Sequence, residues 1–238
     1  MIWLGLDTSN LPLSAAIVRD GKLLAELNSA VGLNHSEGAM PAVEELFQRA
    51  GLQPADLDAV AVSEGPGSYT GVRIGVTIAK TLAWTLGKPL TGVSSLQVLA
   101  ANVFAPGVMI CPLIDARRGN VFAGLYQRSG TGKLEALEED RHQPFSDLLE
   151  RLMEERGQVI FLGPGADVHW EAAREALGNR AVRAHAVQDV PRASLLIEEA
   201  QDLPPAGDLH RFTPEYRRVT EAEANWRKAQ EGKDTHER

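Results

Sequence analysis

Hydrophobic and polar positions in the first part of the chain follow strand-length patterns. Apolar runs cover residues 2–6, 14–19 and 22–27, and polar turn residues separate them. The Asp20-Gly21 pair between the second and third runs is a typical hairpin turn. The pattern therefore predicts three strands, the last two of them joined as an antiparallel hairpin.

Helical periodicity begins after these strands. Apolar residues recur every three or four positions across residues 36–50, which predicts an amphipathic helix. A short apolar strand at 59–62 then runs through a glycine-rich loop into a second predicted helix at 70–86. A strand at 90–93 and a helix at 95–103 complete this first unit.

The second half of the chain repeats this order in a weaker form. An apolar strand at 108–114 ends in Asp115, as the first strand ends in Asp7, and a returning strand follows at 121–127. The remaining predicted elements are strands at 134–138 and 159–162 and helices at 146–156 and 167–177. Two halves with one order of elements predict an α/β fold made of duplicated ββαβα units.

The predicted domain boundaries follow from this repeat. We expect an N-terminal subdomain at residues 1–104 and a C-terminal subdomain at 105–206, which ends in the proline-rich segment 202–207. The terminal segment 207–238 contains a charged helix at 221–230 and is expected to pack back on the N-terminal subdomain.

Composition excludes some classes of protein. Apolar residues make up 44% and charged residues 24% of the chain, as in an ordinary soluble domain, and the net charge of −8 argues against a broad basic surface for nucleic acid. The single cysteine, Cys111, lies in an apolar run and is expected to be a buried thiol. The first residues resemble a strand rather than a signal peptide, and no apolar run is long enough to span a membrane, so we expect a cytoplasmic protein.

The loop from Gly65 to Gly71 lies between a strand and a helix, where many proteins bind phosphate. It departs from both common phosphate-binding patterns. Val72 and Arg73 follow its last glycine where a P-loop has Lys and Ser or Thr, and its glycine spacing does not fit the dinucleotide fingerprint. The loop therefore gives only weak evidence for nucleotide binding.

A stripe of small residues recurs at every fourth position of the helix after this loop: Gly71, Gly75, Ala79 and Ala83. Glycine inside a helix costs about 1 kcal/mol relative to alanine, so a neighbouring element is expected to approach closely. That element could be the chain's own sheet. We favour a partner protein, because a second apolar face is available for the core (Ile74, Ile78 and Leu82) and the preceding helix adds two typical contact residues (Met40 and Phe47).

The residues with candidate chemistry are few. Asp7 with Thr8 and Ser9 would suit a phosphate or a metal ion, although Asp, Ser and Asn are also ordinary turn residues. In the second half, Asp115 occupies the matching place beside two arginines, which suggest salt bridging as readily as chemistry. His35 has no second histidine three or four residues later, so we expect no metal site there.

Several motifs together resemble one known family. They are Asp7-Thr-Ser after the first strand, Asn34-His-Ser-Glu37 before the first helix, the run from Gly65 to Gly75, and the terminal segments Tyr216-Arg-Arg and Glu221-Ala-Glu-Ala-Asn-Trp226. In these the chain is similar to the bacterial TsaB (YeaZ) family, over nearly its whole length. The resemblance implies an actin-like, Hsp70-like ATPase (ASKHA) fold of two duplicated subdomains.

The resemblance also implies a function and partners. Proteins of this family help to make threonylcarbamoyladenosine, next to the anticodon, in transfer RNAs that read codons starting with A. They pair with the catalytic paralogue TsaD through their two N-terminal helices, the ATPase TsaE joins this pair, and a homodimer is expected without TsaD. The resemblance implies no intrinsic cofactor, with ATP or ADP and a metal expected on the partner subunits, and tRNA contact only through the complex.

The motif positions give the expected site residues. The partner interface implied for this chain comprises His35, Ser36, Met40, Val43, Phe47, Tyr69, Gly71, Val72, Gly75, Val76, Ala79 and Ala83. A vestigial nucleotide site would comprise Asp7, Thr8, Ser9 and Asp115. The catalytic paralogue has a metal-binding His-x-x-x-His, whereas His35 is followed by Ala39, so we expect a noncatalytic scaffold.

Two alternatives remain open from the sequence. The first is an active kinase or ATPase of the same fold that uses Asp7 and Asp115. The second is a metallopeptidase-like protein, a function once assigned to relatives of this superfamily. ATP binding would distinguish the first alternative, and metal content the second.

Overall fold

The computed structural model describes residues 1–30 and 35–215. The predicted helix cap Asn34 and the predicted terminal helix at 221–230 lie outside these described residues.

Five strands form the first sheet in the order β3-β2-β1-β4-β5. Their bounds are β1 (Ile2–Asp7), β2 (Leu13–Arg19), β3 (Lys22–Ser29), β4 (Ala59–Gly65) and β5 (Leu90–Ser94). The three N-terminal strands are antiparallel neighbours, whereas β4 pairs parallel to β1 and β5 pairs parallel to β4. The parallel strands end at one edge of the sheet, where the loops that follow them converge.

The second sheet has the same topology in the order β10-β9-β6-β7-β8. Its strands are β6 (Met109–Arg117), β7 (Asn120–Arg128), β8 (Leu134–Pro144), β9 (Val159–Leu162) and β10 (Ala181–Arg183). Each pairing in it has a counterpart of the same direction in the first sheet, which confirms the predicted duplication. The ββαβα unit was too short, however, because a third strand precedes the first helix of each half. The strand β10 was not predicted.

The helices cover the two sheets from both sides. They are α1 (His35–Ala50), α2 (Tyr69–Leu86), α3 (Ser95–Ala100), α4 (Phe145–Glu154), α5 (Ala166–Leu177) and α6 (Ala193–Ala200). α1 and α2 pack side by side on one face of the first sheet, and α4 and α5 do the same on the second sheet.

The helices α3 and α6 form a layer between the two sheets. α3 follows the first sheet in sequence but packs on β6 and β7, whereas α6 comes late in the chain and packs on β1 and β2. Gln97 of α3 donates a hydrogen bond to Glu199 of α6 (2.9 Å). α6 lies inside the segment 105–206 that was assigned to the C-terminal subdomain, and it adds its apolar residues to the core on the first sheet.

A segment that we call the strap, residues 206–215, runs along the free edge of β5. The amide of Ala206 donates to Leu90 O (2.7 Å), and the amide of Glu215 donates to Glu64 O (2.8 Å). Lys80 on α2 also donates its ammonium group to Phe212 O (2.7 Å). The described residues of the strap thus pack on β4, β5 and α2 of the N-terminal subdomain.

The small-residue stripe of α2 faces the chain's own sheet, which corrects the expectation that it faces a partner. All four of its residues are buried in the first core: Gly71, Gly75, Ala79 and Ala83. A Cβ atom on Gly71 would overlap the carbonyl oxygen of Thr8, and one on Gly75 would overlap the Thr8 hydroxyl. That hydroxyl donates a hydrogen bond to Gly71 O (2.7 Å), so helix and hairpin are in direct contact.

The larger apolar residues of α2 lie at the margin of the core instead. Ile74, Ile78 and Leu82 are only partly buried. A helix that meets a backbone must present small residues to it, so the bulky face is directed away from the hairpin. The prediction placed the small residues at a partner interface and the large residues in the core. In the structure, the small residues are buried and these large residues are only partly buried.

Replacing Gly71 tests the close contact between α2 and the hairpin. Alanine would normally stabilise a helix by about 1 kcal/mol relative to glycine. Because the new methyl group would overlap the Thr8 backbone, we expect Gly71→Ala to lower the free energy of unfolding by about 2 kcal/mol instead. Urea denaturation measures this. Gly130→Ala is the matched control, since a Cβ there meets nothing within 4 Å, and equal stabilities of the two variants would contradict the prediction.

Candidate functional site

The carboxylate of Asp7 is fully buried at the end of β1. Its Oδ1 accepts hydrogen bonds from the amide and the hydroxyl of Ser9, both at 2.8 Å, and its Oδ2 accepts one from the Ser63 hydroxyl. Burial raises the pKa of Asp7 above its ordinary value, and the hydrogen bonds from Ser63 and Ser9 oppose this shift only in part. The group is thus satisfied by the chain's own residues.

The glycine-rich loop covers the hairpin that follows Asp7. The amide of Ser68 donates to Ser9 O (2.6 Å), and a Cβ on Gly67 would overlap the same oxygen. Thr8 and Ser9 are buried as a result. In the first subdomain, the groups predicted to cradle a phosphate are therefore sealed under their own loop.

Asp115 lies at the equivalent end of β6 and remains partly exposed. Its Oδ1 accepts a hydrogen bond from the Arg117 amide (3.2 Å) and lies 3.3 Å from His169 Nε2. The His169 ring packs against Phe145, with 4.5 Å between the ring centroids. Sequence analysis missed His169 because it lies 54 residues from Asp115, and only the packing of α5 on β6 brings the two together.

An internal carboxylate also occupies the loop after β9. Asp189 accepts a hydrogen bond from the amide of Gly163 (2.6 Å), and Arg183 binds both of its oxygens (2.9 and 2.5 Å). The loop amide thus has an anionic partner within the chain.

The described residues offer no set of metal ligands. In the ranges 1–30 and 35–215, no three His, Cys, Asp or Glu side chains are grouped so that they could hold an ion. His35 uses Nε2 to contact Asn10 O at 2.8 Å. Cys111 is fully buried, and burial raises the pKa of its thiol, which makes it unreactive.

The predicted interface residues divide into exposed and buried sets. Met40 is 46% and Tyr69 58% exposed, Ser36 is exposed, and His35 is partly buried. The Arg73 guanidinium lies 4.0 Å from the centre of the Tyr69 ring. The other predicted interface residues are instead buried in the chain's own first core: Val43, Phe47, Val72 and Val76, with the four residues of the small-residue stripe.

Among the helices that the structure describes, none is both long and apolar enough to cross a bilayer.

Two sheets of the same topology, with helices that exchange between them, define a protein of the actin-like, Hsp70-like (ASKHA) class, as predicted. The family model "TsaD: tRNA N6-adenosine threonylcarbamoyltransferase" matches residues 29–226. The chain is 43% identical over 97% of its length to the tRNA threonylcarbamoyladenosine biosynthesis protein TsaB of Bacillus subtilis, all of which is covered. The chain belongs to the TsaB (YeaZ) family.

Other relatives agree with this assignment. TsaB of Escherichia coli is 31% identical over 71% of this chain and 72% of its own length. The crystal structure of YeaZ from Pseudomonas aeruginosa superposes with a TM-score of 0.73 at 25% identity, and the match covers 90% of this chain and 99% of that one.

The buried Asp7 carboxyl gives a prediction about pH. Because its pKa is raised in the folded chain, its contribution to stability is complete below the ordinary value of 3.8 and is lost as pH rises through the folded pKa. Asn at this position does not titrate. We therefore expect the stability difference between wild type and Asp7→Asn to shift in favour of the variant between pH 4 and pH 8.

Urea unfolding across this range measures the effect, and Glu44→Gln on the exposed side of α1 serves as the control. A difference between wild type and Asp7→Asn that stays constant with pH would contradict the assignment.

Proposed function

We propose that this chain is a noncatalytic, partner-activating subunit in the synthesis of threonylcarbamoyladenosine. The complex would transfer a threonylcarbamoyl group to the adenosine next to the anticodon in tRNAs that read codons starting with A. In this proposal the chain acts in the cytoplasm and pairs with the catalytic paralogue TsaD. The ATPase TsaE joins the pair, and the chain forms a homodimer when TsaD is absent.

The closed hairpin after β1 carries the noncatalytic part of this proposal. Asp7 is the residue that an active enzyme of this fold would need at an open cleft, and here its carboxylate takes three hydrogen bonds from Ser9 and Ser63. The loop after β9 is closed in a similar way by Asp189. Opening the first hairpin would require the glycine-rich loop to leave the backbone of Ser9, and the core contact with α2 opposes this movement.

The outer surface of α1 and α2 supports the pairing part of the proposal. Met40 on α1 and Tyr69 on α2 expose large side chains, and Ile74, Ile78 and Leu82 form a half-buried apolar row along α2. Tyr and Arg are the residue types that dominate binding energy in protein interfaces, and Tyr69 with Arg73 supplies both. A paralogue of the same fold would carry a corresponding helical layer, so the two layers could pack face to face.

ATP or ADP and the metal are assigned to the partner subunits in this proposal, and tRNA is contacted within the assembled complex. The alternative is an active kinase or ATPase, and titration of the isolated chain with ATP distinguishes it from a noncatalytic subunit.

Nucleotide titration tests the closed hairpin. We expect isothermal calorimetry of the isolated chain with ATP and Mg²⁺ to show no saturable binding at ATP concentrations up to about 1 mM. A dissociation constant above this value corresponds to a binding free energy smaller in magnitude than about 4 kcal/mol. Binding in the micromolar range that Asp7→Asn abolishes would overturn the noncatalytic assignment and favour the kinase or ATPase.

Substitutions on the helical layer test the partner interface. We expect Met40→Asp and Tyr69→Ala each to weaken binding of TsaD from the same organism about tenfold or more, because truncation of an interface hot spot costs about 2 kcal/mol or more. Both side chains are largely exposed, so the thermal stability of the chain should change little. Calorimetric titration measures the affinity, and a tRNA modification assay with each subunit omitted shows whether the pairing is required.

Leu137→Asp is the matched control, since Leu137 is 48% exposed on β8 of the other subdomain. If the two helix variants bind TsaD as tightly as wild type and this control, the helical layer is not the interface.

A further inference from the structure

The hairpin that joins β6 to β7 carries two adjacent exposed arginines, Arg117 and Arg118. The chain as a whole is acidic, with 24 Lys and Arg against 32 Asp and Glu residues. These two arginines therefore place two adjacent positive charges at the tip of one hairpin, in a chain whose net charge is negative. The sequence analysis singled out this pair, and the proposed pairing through α1 and α2 does not use it.

The backbone at these arginines adopts an unusual conformation. Arg117, Arg118 and Gly119 have φ angles of 66°, 54° and 75°, so three consecutive residues are left-handed. Only Gly, and to a lesser degree Asn and Asp, enters this region at low cost. The Asp20-Gly21 turn meets the same requirement with residues of this kind, at φ angles of 50° and 75°. Local turn preference therefore does not explain arginine at positions 117 and 118.

Neighbouring side chains fix the hairpin in this conformation. The Asp115 carboxylate accepts the Arg117 amide (3.2 Å), and its oxygen also faces His169. The Asn120 side-chain amide donates to Arg117 O (3.4 Å) and to Arg118 O (3.3 Å). The backbone of the tip is thus held from both sides, and both guanidinium-bearing side chains are exposed from a fixed base.

Taken together, the geometry points to a phosphate-binding contact, and we propose that Arg117 and Arg118 bind the sugar-phosphate backbone of the tRNA substrate. This inference rests on the proposed function, in which the chain belongs to a complex that acts on tRNA. The planar guanidinium group matches phosphate oxygens in pairs of hydrogen bonds. Contacts to phosphates position an RNA without reading its sequence, which suits a subunit that supports several tRNAs.

The variant Arg117→Asn/Arg118→Asn tests this contact. Asn removes both charges and tolerates left-handed backbone better than Arg, so the fold should be retained. The probe is a fluorescently labelled, unmodified tRNA transcript titrated with the complex of this chain and TsaD, at several salt concentrations. We expect about tenfold weaker binding, and a salt dependence of log K that is shallower by about 1.5, because two phosphate contacts are lost.

Arg174→Asn is the matched control, as an exposed arginine in the last turn of α5. Unchanged tRNA affinity and salt dependence in the double variant would overturn the proposal. Loss of TsaD binding with unchanged tRNA binding would also overturn it and would instead identify the hairpin as a protein contact.

A second measurement separates this inference from the proposed function. If wild-type chain forms no complex with TsaD, the proposed pairing fails, and the same tRNA titration is then made with the chain alone. A reduced affinity of the double variant in that titration supports the hairpin contact independently. Absence of tRNA binding by wild type in both settings overturns it.

Discussion

The contact between the β1–β2 hairpin and the start of α2 determines the arrangement of the first subdomain. Side chains larger than hydrogen at positions 67 and 71 would overlap the backbone of Ser9 and Thr8, so this contact exists only because glycine occupies both. Close packing of this kind leaves no room for an adjustable gap. The hairpin, the glycine-rich loop and α2 are therefore packed directly on one another, and α1 lies beside α2 on the same sheet.

This one contact has two effects on function. Toward the interior, it seals Asp7 under its own loop and removes the carboxylate from solvent. Toward the exterior, it holds α2 close to the sheet, so that Tyr69 and the row of Ile74, Ile78 and Leu82 form the outer surface beside Met40. In an enzyme of this fold the same region would need to open around a nucleotide. In the noncatalytic role proposed above, the fixed contact would favour binding, because a preformed surface costs less ordering.

Much of the fold could be predicted from sequence, because the apolar periodicity of strands and helices is local information. The strands β1 to β9 and the helices α1 to α5 were all predicted, and the repeated order revealed the duplication. The exchange of α3 and α6 between the sheets could not be predicted, since it depends on contacts between distant segments. The direction of the small-residue stripe was wrong for a related reason. The small size of these residues shows that another element lies close to the helix, but it does not show that this element is Thr8 of the same chain. His169 was missed because its partner, Asp115, is distant in sequence.

The strap along β5 has a consequence for how the protein is made. An uncovered edge strand can pair with other chains, and cells avoid such edges in mature proteins. Here the residues that cover β5 are translated long after the first sheet is complete, and α6, which closes its other face, comes only shortly before them. A ribosome-bound chain therefore carries an open sheet while the residues between Ser94 and Ala206 are translated. The time for which this edge is open is set by the translation of the second subdomain, not by the stability of the finished fold.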